Sequence, residues 1–362
     1  MHVLTIPGMK QFVSHIAIAM RDPVMFWGPP GVGKSQGILQ FEHESIACPD
    51  WLLAIDPTLA DRWTGKAIVV DIRLSQYDSV DLRGIPAPTD EQTTVWYVPS
   101  TLPFVTAPDW QDDVLIILFL DEINAAAPAV AAVAYQLVND RAVGEHKLRP
   151  NVVIVAAGNR EGDKGVTNRM PAPLANRFTH AEVDVDVDAW CYWAQQRGLD
   201  PMGLAFIQFR KELLNVFKPE QAIKDKAFAT PRSWEKALRY YSANMPEDTK
   251  RAAIQGAVGE GPANEFWGFV DVCKDLPSIE SIIRDPMGIK LPDQAAIRYA
   301  VTVAVSGAMT RETITPLVAY ISRFDPEFGV LAWSLAMRRD SNLTSTQEFL
   351  KFAKDNRDLL SI

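Results

Sequence analysis

The chain has 362 residues, enough for two or three folded units, and its 48% apolar and 22% charged side chains exclude long disorder. Acidic residues outnumber basic ones, 45 to 36, giving a formal charge of −9. A broad phosphate-binding face for nucleic acid is therefore not expected, although a local basic loop remains open. Cys48, Cys191 and Cys273 are far apart with no CxxC pair, and His2, His15, His43, His146 and His180 show no ligand spacing. Buried reduced thiols are expected, without a disulfide framework or zinc site. The first residues show no basic-then-apolar leader, and no apolar run reaches membrane length, so a cytoplasmic setting with no membrane partner is expected.

The first half alternates strand-like runs with helical patterns. Residues 24–27 form a short apolar run that leads into Gly28-Pro29-Pro30-Gly31-Val32-Gly33-Lys34-Ser35. This matches the P-loop spacing of Gly, four residues, then Gly-Lys-Ser. Its glycines let successive backbone N–H groups turn inward onto phosphate oxygens, and a helix opening near Lys34 adds the positive end of its dipole. Lys34 is expected on the β- and γ-phosphates of ATP, the Ser35 hydroxyl on Mg2+, and Gln36 to close the cradle.

Residues 67–74 read as a strand. Residues 75–113 are rich in Pro, Asp, Thr and Trp and too long for a plain βα loop, so a structured insertion with a hairpin or short helix is expected. Residues 114–120 are apolar throughout, the pattern of a central parallel strand covered on both faces. The run ends in Asp121-Glu122, which a parallel α/β sheet places at its ligand-binding carboxyl edge. Asp121 is expected to hold Mg2+, largely through water, and Glu122 to orient and deprotonate an attacking water. An acidic pair at a strand end also suits a solvated turn; the upstream P-loop favours the chemical reading. A helix is expected over 129–139 and a strand over 152–157, after which Asn159 suits either a hold on the water beside Glu122 or a plain strand-end turn.

The pattern changes around 181–188. Asp184, Asp186 and Asp188 alternate with valines, which suggests a solvated strand edge. Beyond it, 189–197, 202–216, 233–244 and 249–258 have helical spacing, and helices broken by prolines continue to the end. Trp190, Tyr192 and Trp193 are expected in a helical core. The fold class is thus α/β: a doubly wound parallel sheet with a P-loop, then an all-α lid and a helical C-terminal region. The boundaries fall at 1–188 (insert about 75–113), 189–258 and 259–362.

Five segments in order, GPPGVGKS (28–35), FLDEIN (119–124), AAGN (156–159), LANRF (174–178) and ATPRSW (229–234), make the chain resemble AAA+ ATPases, and within them the MoxR-like family. The resemblance covers about 1–245. It implies that Asn159 is the sensor-1 residue, that Arg177 is an arginine finger acting on a neighbouring subunit's ATP, and that Arg232 is sensor 2. It further implies a homo-oligomer, a hexameric ring by family pattern, acting on a protein client, with a partner bearing a von Willebrand factor A domain. By the same resemblance, the 75–113 insertion is the helix-2 insert and a second hairpin lies near 140–149. The long helical C-terminus departs from that pattern. A chaperone-like remodeller of protein complexes is the function implied. A nucleic-acid-stimulated motor and a nucleotide-gated scaffold with little turnover stay open, to be separated by stimulation with DNA or RNA and by turnover at high protein concentration.

Overall fold

The computed structural model describes residues 2–91, 93–160, 163, 170–218 and 226–356. The chain divides into two compact units, the first ending at Val185 and the second beginning at Asp186.

The first unit carries β1 (Val3–Leu4), β2 (Val24–Trp27), β3 (Ala67–Arg73), β4 (Ile85–Pro88), β5 (Thr94–Tyr97), β6 (Leu115–Asp121), β7 (Ala142–Val143), β8 (His146–Lys147), β9 (Val152–Gly158) and β10 (Thr179–Val183). Six of these form one sheet in the order β1-β10-β2-β9-β6-β3, with every pairing parallel. Successive side chains on a strand point to opposite faces, so a strand covered on both sides must be apolar at every position. In β6, Leu115, Ile117 and Phe119 join Met9, Val13 and Phe41 on one face. Ile116, Leu118 and Leu120 meet Val130, Val133 and Leu137 of the Pro128–Asp140 helix on the other. Each such side chain contributes about 1.5–3 kcal/mol by leaving water. The sheet is therefore doubly wound, and all six strands point their carboxyl ends to one edge.

The insertion, expected to hold a hairpin or a short helix, holds one of each. A helix over Ser79–Arg83 is closed by a capping box between Asp78 and Asp81, and β4 and β5 pair as an antiparallel hairpin. Pro86 and Pro88 lack a donor, which confines β4 to an edge. Across the second hairpin, β7–β8, the Glu145 carboxylate accepts from the Trp96 backbone N–H at 3.4 Å. The two hairpins are thus tied together.

Four expectations are corrected. The Asp–Val alternation is not a strand edge: β10 stops at Val183, and Asp186 caps the Val187–Gln196 helix, accepting from Ala189 N at 2.6 Å. A capped helix start outweighs the β preference of valine. The helix expected over 202–216 spans Pro201–Phe209 and is followed by a short turn at Lys211–Leu213. Cys191 and Cys273 are buried, but Cys48 is only half-buried; all three are free. Of the aromatic trio, Trp190 is buried, whereas Tyr192 faces solvent.

The second unit is helical among its described residues. Residues drawn to either side of 258 share one aromatic core in it. Phe206 lies 5.4 Å from both Trp234 and Phe266, ring centre to ring centre, and Phe266 belongs to the Glu260–Val272 helix. Among the described residues, no helix is long and apolar enough to cross a membrane.

Candidate functional site

The glycine-rich turn leaves β2 at the carboxyl edge and enters the Lys34–Leu39 helix through Gly33, whose φ of 105° is a left-handed conformation that favours glycine. Val32 is buried in the core beneath, which pins the loop, while Gln36 is exposed. Lys34 is buried, and its Nζ donates to Gly28 O at 2.6 Å, Pro29 O at 3.0 Å and Asn159 Oδ1 at 3.5 Å. Ser35 Oγ donates to Asp121 Oδ2 at 2.8 Å. The turn, the end of β6 and the end of β9 therefore converge, because β9 lies between β2 and β6 in the sheet.

Asp121 is buried, and its Oδ1 accepts from the Glu122 N–H at 2.9 Å. Glu122 itself leaves the strand with φ 53°, ψ 33°, a left-handed conformation that costs a non-glycine residue about 1–2 kcal/mol. That turn breaks the strand alternation and lets both carboxylates reach the edge. Glu122 Oε2 accepts from Ser75 Oγ at 2.5 Å. The hydroxyl and carboxylate oxygens of Ser35 and Asp121 are hard donors of the kind magnesium takes. Among the described residues, no group of three or more His, Cys, Asp or Glu is set to hold a metal. A cation here would complete its shell with phosphate and water oxygens.

Three contributors carried no separate sequence signal. Ser75 follows β3 and fixes Glu122. Asn124, buried within the FLDEIN segment, donates from Nδ2 to Asn159 O at 2.8 Å. Asp71 on β3 has its carboxyl raised by burial and then by the Asp121 charge, with the neighbouring Arg73 opposing.

Arg177 is exposed in the turn after the Ala172–Ala175 helix and makes no ion pair among the described residues. Trp27 Nε1 donates to His180 Nδ1 at 3.0 Å, which leaves His180 Nε2 as the donor to Ala175 O at 2.7 Å. The strand before the P-loop is thus linked to the segment that carries Arg177. Arg232 belongs to the other unit. It is exposed in the first turn of the Pro231–Ser242 helix, whose Thr230 and Ser233 form a reciprocal cap.

No protein-family model matches the chain, and no curated protein matches it. Solved structures with some similarity include NtrX from Brucella abortus at 13% identity and a TM-score of 0.38, over 92% of this chain and 68% of that one. NtrX from the same organism in complex with ATP has 13% identity and a TM-score of 0.35, over 98% and 67%. A Thermotoga maritima RuvB variant has 15% identity and a TM-score of 0.31, over 77% and 74%.

Proposed function

We propose that the chain is a Mg-ATP-dependent ATPase of the AAA+ kind, MoxR-like, which works as a ring of identical subunits and remodels protein complexes. The observation that carries the reading is the 2.8 Å contact between the Ser35 hydroxyl and the Asp121 carboxylate, beside Lys34 at the carboxyl edge of a parallel sheet. A P-loop serine and a strand-end carboxylate need to be this close to share one magnesium ion. Bound magnesium would supply positive charge to the β- and γ-phosphate oxygens.

The chain's own residues divide the remaining work. Lys34 exchanges its carbonyl partners for phosphate oxygens. Glu122, oriented by Ser75, takes the proton of the attacking water, and the Asn159 amide holds that water in line. Arg177, exposed and without an ion pair among the described residues, reaches the ATP of a neighbouring protomer. Arg232 reports the γ-phosphate to a helical lid over 189–258, with 1–188 as the core and 259–362 as a further helical region. Head-to-tail contacts of this kind close into rings, six-membered by family pattern. The exposed Ile85, Trp96 and Tyr97 of the β4–β5 hairpin suit a protein client, with a von Willebrand factor A domain partner and a cytoplasmic setting completing the reading.

The test is Glu122→Gln, which keeps shape and removes the base. Turnover should fall by about 10²–10⁴-fold while ATP stays bound and oligomers persist. Turnover equal to the parent's would remove Glu122 from the role.

A further inference from the structure

The amino-terminal edge of the sheet, opposite the P-loop, carries a second set of charged groups. Arg21 lies just before β2, and its Nη2 donates to Pro150 O at 2.9 Å. Arg141 ends the Pro128–Asp140 helix, and its Nη2 donates to Val152 O at the start of β9. The two carbonyls are two residues apart, so the guanidiniums they hold sit on one short stretch of chain, spanning at most about 7 Å. The Arg21 guanidinium lies over the Trp51 ring, 4.4 Å from its centre, and Trp51 is itself fixed by its Nε1 donating to Ile18 O at 2.7 Å.

Three observations set this pair apart from arginines that simply cap carbonyls. Among the described residues neither guanidinium makes an ion pair, and Arg21 Nε is buried with no hydrogen-bond partner. Burial, and then the charge of Arg21, pull Arg141 down to about 10, and burial also lowers Arg21. Both residues have left-handed backbone, φ 65° and 52°; among described non-glycine residues only Glu122 shares this. Left-handed strain persists where surrounding structure imposes it, and it gathers at ligand sites. Two neighbouring positive charges, partly desolvated and without an ion-pair partner among the described residues, repel each other. A doubly charged oxyanion between them turns that repulsion into attraction, and the planar forks of two guanidiniums match its oxygens.

We propose that Arg21 and Arg141, backed by Trp51, form a binding site for a phosphate-type dianion at the end of the sheet opposite the P-loop. Two positive charges select a dianion over a single carboxylate, so a protein side chain is a poorer occupant than phosphate.

The probe is inorganic phosphate, titrated by calorimetry at constant ionic strength into the full chain carrying Lys34→Ala, so that the P-loop does not dominate the signal. One saturable site is expected. Adding Arg141→Met or Arg21→Met should weaken it at least about tenfold, the effect of losing one charge-assisted pair. Acetate should bind at least about tenfold more weakly than phosphate for the same reason. Arg21→Met leaves the helix end at Arg141 intact and answers the question if Arg141→Met does not fold. Absence of saturable binding, unchanged affinity in the folded arginine variants, or equal binding of acetate would each overturn the proposal.

Discussion

Asn124 donates its side-chain amide to the backbone oxygen of Asn159 at 2.8 Å, so the exit of β6 fixes the exit of β9. The contact holds the backbone of Asn159, whose side chain is proposed to position the attacking water with Glu122.

Asn124→Ala leaves the Asn159 carbonyl without that donor, at a cost of about 1–2 kcal/mol in stability. Misplacing Asn159 by a fraction of an ångström should slow turnover about 10- to 100-fold. ATP affinity should change less than about threefold, because Lys34 and Ser35 are untouched. Turnover and equilibrium binding measured on one preparation check this; affinity falling in step with turnover would show that Asn124 supports the P-loop as well.

Gly158 makes that contact possible. A Cβ there would lie 2.5 Å from Asn124 Oδ1 and 2.9 Å from Met25 Cε. Gly158→Ala should therefore destabilise the first unit by about 1–3 kcal/mol, read as an earlier denaturant midpoint. An unchanged midpoint would mean that Asn124 is free to move aside.

The three thiols should separate by reactivity. Burial pushes Cys191 up to about 12 and Cys273 up to about 11. Cys48 is also raised, by burial and then by the Asp50 charge, but it is half-buried rather than buried. The thiolate is the reactive form, so raising these values slows reaction at neutral pH. At pH 8 a disulfide reagent should modify Cys48 first and reach the other two only on unfolding. Rates should rise about tenfold per pH unit below each thiol's own value. Mass spectrometry of the modified peptides assigns the order, and early labelling of Cys191 would contradict its placement.

Local pattern carried most of the fold to the eye. The unbroken apolar runs of β6 and β9 admit only a sheet covered on both faces, and the P-loop spacing fixes where one strand must stop. Asp121 and Glu122 were legible because a carboxylate pair at the end of such a run has one edge to occupy. Ser75 and Asn124 were not. Their partners lie 47 and 35 residues away, so their contacts arise only once β3, β6 and β9 are aligned. The valines after β10 misled for a related reason. Side-chain preference spoke for a strand, and the single oxygen of Asp186 at a helix start decided otherwise. Arg21 and Arg141 are also distant in sequence, and no motif marks them.

Lys34, Ser35 and Asp121 are proposed to form one magnesium-nucleotide site. Equilibrium binding of a fluorescent ATP analogue, with and without magnesium, to the parent and to Lys34→Ala tests this most directly. The parent should bind saturably with magnesium, and at least about tenfold more weakly when either magnesium or the lysine is removed. A parent chain without saturable nucleotide binding, or a Lys34→Ala chain that binds as tightly as the parent, would contradict it.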